Sequence, residues 1–104
     1  MQTFMLLVLI HLLYDFHWQG PFIAEFKAKS WFLLGVHAMT WALCIMAGLA
    51  LVGAPLPLWK LAFLFVTHFG VDAWKARYTT LPALGSALWI DQAAHLITLL
   101  AVTA

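Results

Sequence analysis

Residues 31–52 read WFLLGVHAMTWALCIMAGLALV, a run without one charged side chain, broken in polarity only by His37 and Thr40. A helix needs roughly 20 mainly apolar residues to cross the hydrocarbon core of a bilayer, and this run has that length. Ser30 stands where an N-cap hydroxyl is wanted, and Gly53-Ala54-Pro55 follows where a helix must stop. The same punctuation divides the rest of the chain. A third segment runs from Pro57 to about Tyr78. Thr79 or Thr80 can cap a fourth, 82–103, with Pro82 in its first turn, and on the N-terminal side residues 3–19 end at Gly20-Pro21. The expected fold is all-α, a polytopic four-transmembrane-helix bundle in a single integral membrane domain, 1–104. Residues 22–29 mix Phe22, Ile23 and Phe26 with Glu25, Lys27 and Lys29, the pattern of an interfacial segment.

Composition agrees with that reading. Of 104 residues, 65% are hydrophobic and only 9% charged, and mean hydropathy is +0.97, well outside the usual mix of a soluble globular domain. A formal net charge of +1 with five scattered Lys and Arg offers no basic stripe, which excludes nucleic acid as a partner. Cys44 is the one cysteine and lies in an apolar run, so it reads as a small packing residue. Met1-Gln2-Thr3 lacks the basic region of a secretory signal, and the first helix is expected to stay in the mature protein. Lys27, Lys29, Lys75 and Arg77 lie at the first and third connections, against Lys60 alone near the second. Cytoplasmic loops carry the excess of Lys and Arg, so both termini are expected on the non-cytoplasmic side of a bacterial inner (cell) membrane.

The titratable residues inside the apolar segments carry the functional information, because an ionisable group at bilayer depth is expensive and marks function by default. His11 and Asp15 lie in the first segment, His37 in the second, His68 and Asp72 in the third, Asp91 and His95 in the fourth. Three helices thus hold a His and an Asp four residues apart, on one face and one turn from each other. Counted at about 1.5 Å per residue, all seven fall roughly 6 to 18 Å from the cytoplasmic side, in one layer of the bundle. The step from His11 to His68 and from Asp15 to Asp72 is 57 residues, and from His37 to His95 it is 58. The chain reads as a duplicated helical hairpin with a pseudo-twofold axis along the membrane normal. Leu33 stands opposite Asp91 in that repeat, so the site is expected to be asymmetric.

Imidazole and carboxylate together are the donor set of zinc, iron and manganese, and facing helices of a bundle are a known scaffold for two-metal centres. His11, Asp15, His37, His68, Asp72, Asp91 and His95 are the candidate ligands. The cofactor expected is a divalent metal, zinc first, with iron or manganese as alternatives. Bis-histidine haem through His11 with His68, or His37 with His95, leaves the aspartates unexplained and is set aside. Some aspartates can instead orient a ligand imidazole from outside the coordination sphere. Asp91 is the candidate general base, and Gln19 and Lys75, near the faces of their His-Asp pairs, are candidates for holding an anionic substrate group. The alternative for Lys75 is an ion pair with Asp72 or snorkelling to headgroups. His17 is six residues beyond His11 and so falls on another face. Gly48 and Gly70 are read as points of close helix contact, and the six Trp as packing or belt residues.

The segments His11-Leu-Leu-Tyr-Asp15-Phe-His-Trp-Gln19, Glu25-Phe-Lys27, His37, His68-Phe-Gly-Val-Asp72-Ala-Trp-Lys75 and Asp91-Gln92-Ala-Ala-His95 resemble a family of small bacterial and phage membrane proteins, the domain of unknown function thirty-three oh seven. The resemblance covers nearly the whole chain and implies a shared site without naming its activity. A looser likeness runs to membrane-bound metal-dependent hydrolases with intramembrane His and Asp motifs. The functional expectation is a metal-dependent hydrolase acting on a lipid-linked or phosphorylated substrate at the cytoplasmic leaflet. The alternatives are a proton- or cation-translocating protein and an interaction protein with a structural metal site. The partners expected are the lipid bilayer and, as an option, a second copy of the chain in a homo-oligomer.

Overall fold

The computed structural model describes residues 2–15, 29–75 and 86–103, with side chains of the last segment from residue 89. Among these residues there are four helices and no strand: α1 Gln2–Leu13, α2 Trp31–Leu51, α3 Leu58–Ala73 and α4 Ser86–Val102. Residues 16–19, 22–28, 76–78 and 82–85, which complete the helices and the interfacial segment expected from sequence, lie outside the described residues, as do the caps expected at Thr79 or Thr80.

Both ends of α2 are built by local chemistry. The Ser30 hydroxyl accepts from the Leu33 N–H, satisfying a donor that has no partner inside the helix. At the other end Val52 caps the helix and Gly53 takes φ 73°, the left-handed conformation that suits glycine. The N–H of Gly53 then donates to the Ala50 carbonyl and that of Ala54 to the Leu49 carbonyl, a Schellman closure, before Pro55 forbids continuation. At 21 residues α2 is about 31 Å long, and it is the one helix among the described residues long and apolar enough to cross a membrane. The described parts of α1 and α4 are shorter apolar helices.

Around the bundle α2 packs on α1 and α3, and α4 on α3 and α1. Consecutive helices run antiparallel, since rising numbers on one meet falling numbers on the next: His11 meets Trp41 and Asp15 meets His37, while His37 meets His68 and Lys75 meets Asp91. Two layers result. One end is apolar and fully buried, built from Leu7, Ile45, Leu49, Leu64, Leu99 and Val102. The other end holds the histidines and aspartates, and the fully buried Trp41 lies between them. The last turns of α1 and α3 at that polar end widen to a π-type turn, at residues 14–15 and 74–75. Such turns are frequent where a helix presents functional groups.

The outside of the bundle is apolar. Phe32, Leu58 and Trp89 are about three-quarters exposed, and Val66, Ile97 and Met5 nearly two-thirds. Among the described residues these exposed apolar side chains surround an interior that is apolar at one end and polar at the other.

The two glycines differ. Gly48 is buried, and a Cβ there would come within 2.5 Å of Ile10 Cδ1 and 3.1 Å of Leu7 Cδ2, so its missing side chain lets α1 and α2 approach. Gly70 is exposed, with nothing among the described residues within 4 Å of such a Cβ, and the close contact expected there from sequence is absent among them. Gly48→Leu should therefore destabilise by about 1–3 kcal/mol through overpacking. Gly70→Ala should be neutral or mildly stabilising, because alanine is the better helix former. Melting temperatures of the two variants in one detergent test this, and equal losses would refute the assigned packing.

Candidate metal centre

The polar layer is assembled one turn at a time. On α1, α3 and α4 the four-residue spacing puts His and Asp on one face, and the distances across these pairs are 3.6 Å for His11 Nδ1 to Asp15 Oδ2, 3.1 Å for His68 Nε2 to Asp72 Oδ2 and 2.8 Å for His95 Nε2 to Asp91 Oδ1. His37 on α2 closes the ring, 3.0 Å from Asp72 Oδ2 and 3.6 Å from Asp15 Oδ1. Four imidazoles, His11, His37, His68 and His95, are fully buried, and Asp91 is nearly so.

Asp72 is the hub. Its Oδ2 faces His37 and His68, whose own Nε2 atoms are 2.9 Å apart, while its Oδ1 lies 3.3 Å from His95 Nε2. With His37 and His68 neutral, only one hydrogen fits between two nitrogens at that separation. Asp72 Oδ2 lies within 3.1 Å of both nitrogens and has no aligned hydrogen-bond donor among the described residues. The Nδ1 atoms of His37, His68 and His95 are also buried without a hydrogen-bond partner among the described residues. Donor atoms from three groupings lie within 4.8 Å of one another, as a metal requires: His37, His68 and Asp72; Asp72, Asp91 and His95; and Asp15, His68 and His95.

Rings hold these donors in place. His68 stacks against both Trp41 and His95, with centroids 4.1 Å from each. Tyr14 packs against His37 at 5.5 Å and is hydrogen-bonded to the Thr40 hydroxyl, which ties α1 to α2 beside the site. Each ring is thereby limited in rotation, which pre-orients its nitrogens.

His11 joins the layer differently from the other imidazoles. The Trp41 indole N–H donates to His11 Nδ1 at 3.0 Å, and His11 Nε2 is 2.9 Å from the Gln92 carbonyl oxygen. Both ring nitrogens are engaged by protein groups, and His11 is in none of the three donor groupings. Lys75 bonds Asp91 Oδ2 at 3.3 Å, across to α4, where the sequence reading had offered Asp72 on its own helix. The physical reason is that both Asp72 oxygens are turned to imidazoles. Gln19, the other residue expected to hold substrate, and His17 lie outside the described residues.

The family whose profile matches residues 3–104 is described as "Protein of unknown function (DUF3307)". The chain belongs to that family. No curated protein and no solved structure matches it. The DUF3307 description assigns no chemistry, and the match does not extend to membrane-bound hydrolases, so the chemistry of this DUF3307 chain rests on its site geometry.

Trp41 and Gln92 are members of that site which sequence reasoning passed over. Trp41 is four residues after His37 and Gln92 three before His95, so both lie on the site-bearing faces of their helices. The same spacing rule that selected the His-Asp pairs would have found them.

Proposed function

We propose that this DUF3307 chain is an integral membrane protein whose four helices enclose a divalent-metal centre, zinc first among the candidates, and that it hydrolyses a lipid-linked or phosphorylated substrate at the cytoplasmic leaflet. The observation that carries the metal is the triangle of His37 Nε2, His68 Nε2 and Asp72 Oδ2, with sides of 2.9, 3.0 and 3.1 Å. A tetrahedral zinc ion with bonds of about 2.0–2.1 Å separates its ligands by roughly 3.3 Å, close to these spacings. Membrane placement draws support from α2, from the apolar outer surface and from the buried polar layer, a combination unfavourable in water and natural in lipid.

A bound divalent cation supplies a water whose pKa falls to near 7 and polarises the scissile group. The residues of the chain do the rest. The Lys75 ammonium, partly exposed at the rim, is placed to meet an anionic phosphoryl oxygen. A carboxylate of the cluster would take the proton of a water so activated and return it to the ester oxygen leaving phosphorus, while Lys75 would hold the phosphoryl oxygens. Asp91 Oδ2 already accepts from Lys75 and Gln92, which leaves Oδ1, 2.8 Å from His95 Nε2, as the oxygen turned into the cluster.

The test is metal content of protein purified from the membrane fraction, with His68→Ala and His17→Ala beside it. The unmodified chain should carry stoichiometric metal and need detergent for extraction. His68→Ala should lose the metal and more stability than the about 0.6–2 kcal/mol of one interhelical hydrogen bond, while His17→Ala should keep both. Recovery in the soluble fraction would refute the membrane placement. Metal-free protein that dissipates a proton gradient in liposomes would replace hydrolysis with translocation.

A further inference from the structure

We infer that the centre takes two divalent cations bridged by Asp72: one held by His37, His68, Asp72 and Asp15, the other by Asp72, His95 and Asp91 with a position left open beside Lys75. This rests on the metal-centre reading above and gives it a stoichiometry and a substrate side.

Asp72 divides its two oxygens. Oδ2 belongs to the His37–His68 triangle and Oδ1 to His95, so a single carboxylate reaches both donor groups. Carboxylate-bridged pairs with ions about 3.5–4 Å apart are a recurrent device for clamping phosphoryl groups. The groups differ in closure. The first has a further oxygen within reach, since Asp15 Oδ1 is 3.6 Å from His37 Nε2 and Asp15 groups with His68 as well as His95, and four protein donors are the mark of a closed tetrahedral site. The second has three, Asp72 Oδ1, His95 Nε2 and Asp91 Oδ1, with successive spacings of 3.3 and 2.8 Å. Three protein donors and an open position characterise catalytic sites.

A hydrogen-bond chain presents Asp91 Oδ1 to that second position, and its direction follows from one group. The Trp41 indole can only donate, so His11 Nδ1 must accept and the His11 proton must sit on Nε2. Nε2–H then donates to the Gln92 carbonyl oxygen, which turns the Gln92 amide N–H to Asp91 Oδ2 at 3.1 Å. Lys75 supplies a second donor to the same oxygen at 3.3 Å. With Oδ2 held by two donors, Oδ1 is the atom left for an ion. His11, Trp41 and Gln92 are positioning residues on this account, and His11 is not a ligand.

Lys75 also ranks the two positions. Its ammonium faces Asp91 and repels a cation bound there, so the second ion binds more weakly than the first. An anionic substrate group that engages Lys75 is drawn to the open coordination position of the same ion.

Zinc titration of chelator-stripped protein in detergent, read by calorimetry and by metal content after gel filtration, tests the inference. The unmodified chain should bind two zinc ions in two phases. Asp91→Asn should bind one, keeping the tighter phase. Lys75→Met should keep both and tighten the weaker by roughly tenfold, the loss of a like charge a few ångströms away. His11→Asn, whose carbonyl can accept from Trp41 and whose amide can donate to Gln92, should still bind two. Saturation at one ion, unchanged by Asp91→Asn, overturns the second position and leaves the metal centre standing. Loss of an ion in His11→Asn overturns the positioning role. No zinc bound at all refutes the underlying reading. Should Asp91→Asn fail to fold, unchanged affinity of the weaker phase in Lys75→Met overturns the ranking independently.

Discussion

Asp72→Ala should abolish retention of divalent metal, and do so more completely than any other single substitution in the cluster. The carboxylate touches imidazoles from three helices: His37 at 3.0 Å on α2, His68 at 3.1 Å on its own α3 and His95 at 3.3 Å on α4. Groups that merely orient metal ligands cost 10–100-fold in affinity when removed, so loss of a donor shared by both positions should exceed about 100-fold. Asp72→Asn is the informative companion, since it keeps size and one carbonyl oxygen but removes the charge that balances a cation. It should retain the fold by circular dichroism and still fail to hold metal through gel filtration. Structural glue predicts otherwise. If Asp72 served only to bond imidazoles, asparagine would replace most of its contacts, and melting would fall by no more than the about 0.6–2 kcal/mol of interhelical hydrogen bonds in membranes. Metal retained by Asp72→Asn at the level of the unmodified chain would refute the hub assignment.

Local rules read part of this architecture from sequence and missed what depends on partners from distant helices. The i, i+4 rule places His11, His68 and His95 beside an Asp of their own helix, because side chains four residues apart share a face one turn from each other. The start and stop of α2 are local as well, fixed by the Ser30 hydroxyl and by the φ 73° conformation of Gly53. The role of His11 was not legible in the same way. By spacing it is equivalent to His68, and what separates them is the Trp41 indole and the Gln92 amide arriving from α2 and α4. The partner of Lys75 escaped for a related reason: proximity along α3 favours Asp72, but competition from three imidazoles sends the ammonium across to Asp91. Gly48 and Gly70 look alike in sequence, and only the rotation of each helix decides that one meets Ile10 while the other faces outward. The internal repeat is imperfect, and an asymmetric site is expected from it. The structure holds the asymmetry already hinted by Leu33 opposite Asp91, since the Lys75–Asp91 pair has no counterpart on α2, where position 33 is an uncharged leucine.

Acid and chelator should act on the same store of stability. Imidazole nitrogens and carboxylate oxygens hold a cation only through lone pairs that protons also seek, and their ordinary pKa values are near 6.5 and near 4. At pH 7 and above a bound cation would outcompete protons, and its binding free energy would add to folding because the four-helix site does not exist in the unfolded chain. As pH falls through the ordinary imidazole and carboxylate ranges, protons compete for the same donor atoms and the cation's contribution would be lost. The sign is therefore fixed: stability conferred by metal is present at neutral pH and disappears in acid. The measurement is melting temperature against pH in detergent, with and without a chelator shown separately to reach the site. At neutral pH the chelated protein should melt several degrees lower, since each kcal/mol lost moves the midpoint of a domain this size by about 4–8 °C. The two curves should converge as the pH drops through 5. A cluster that relays protons without metal has no such store to remove. Its curves would coincide at every pH, and that result would transfer the reading of these seven residues from hydrolysis to proton translocation.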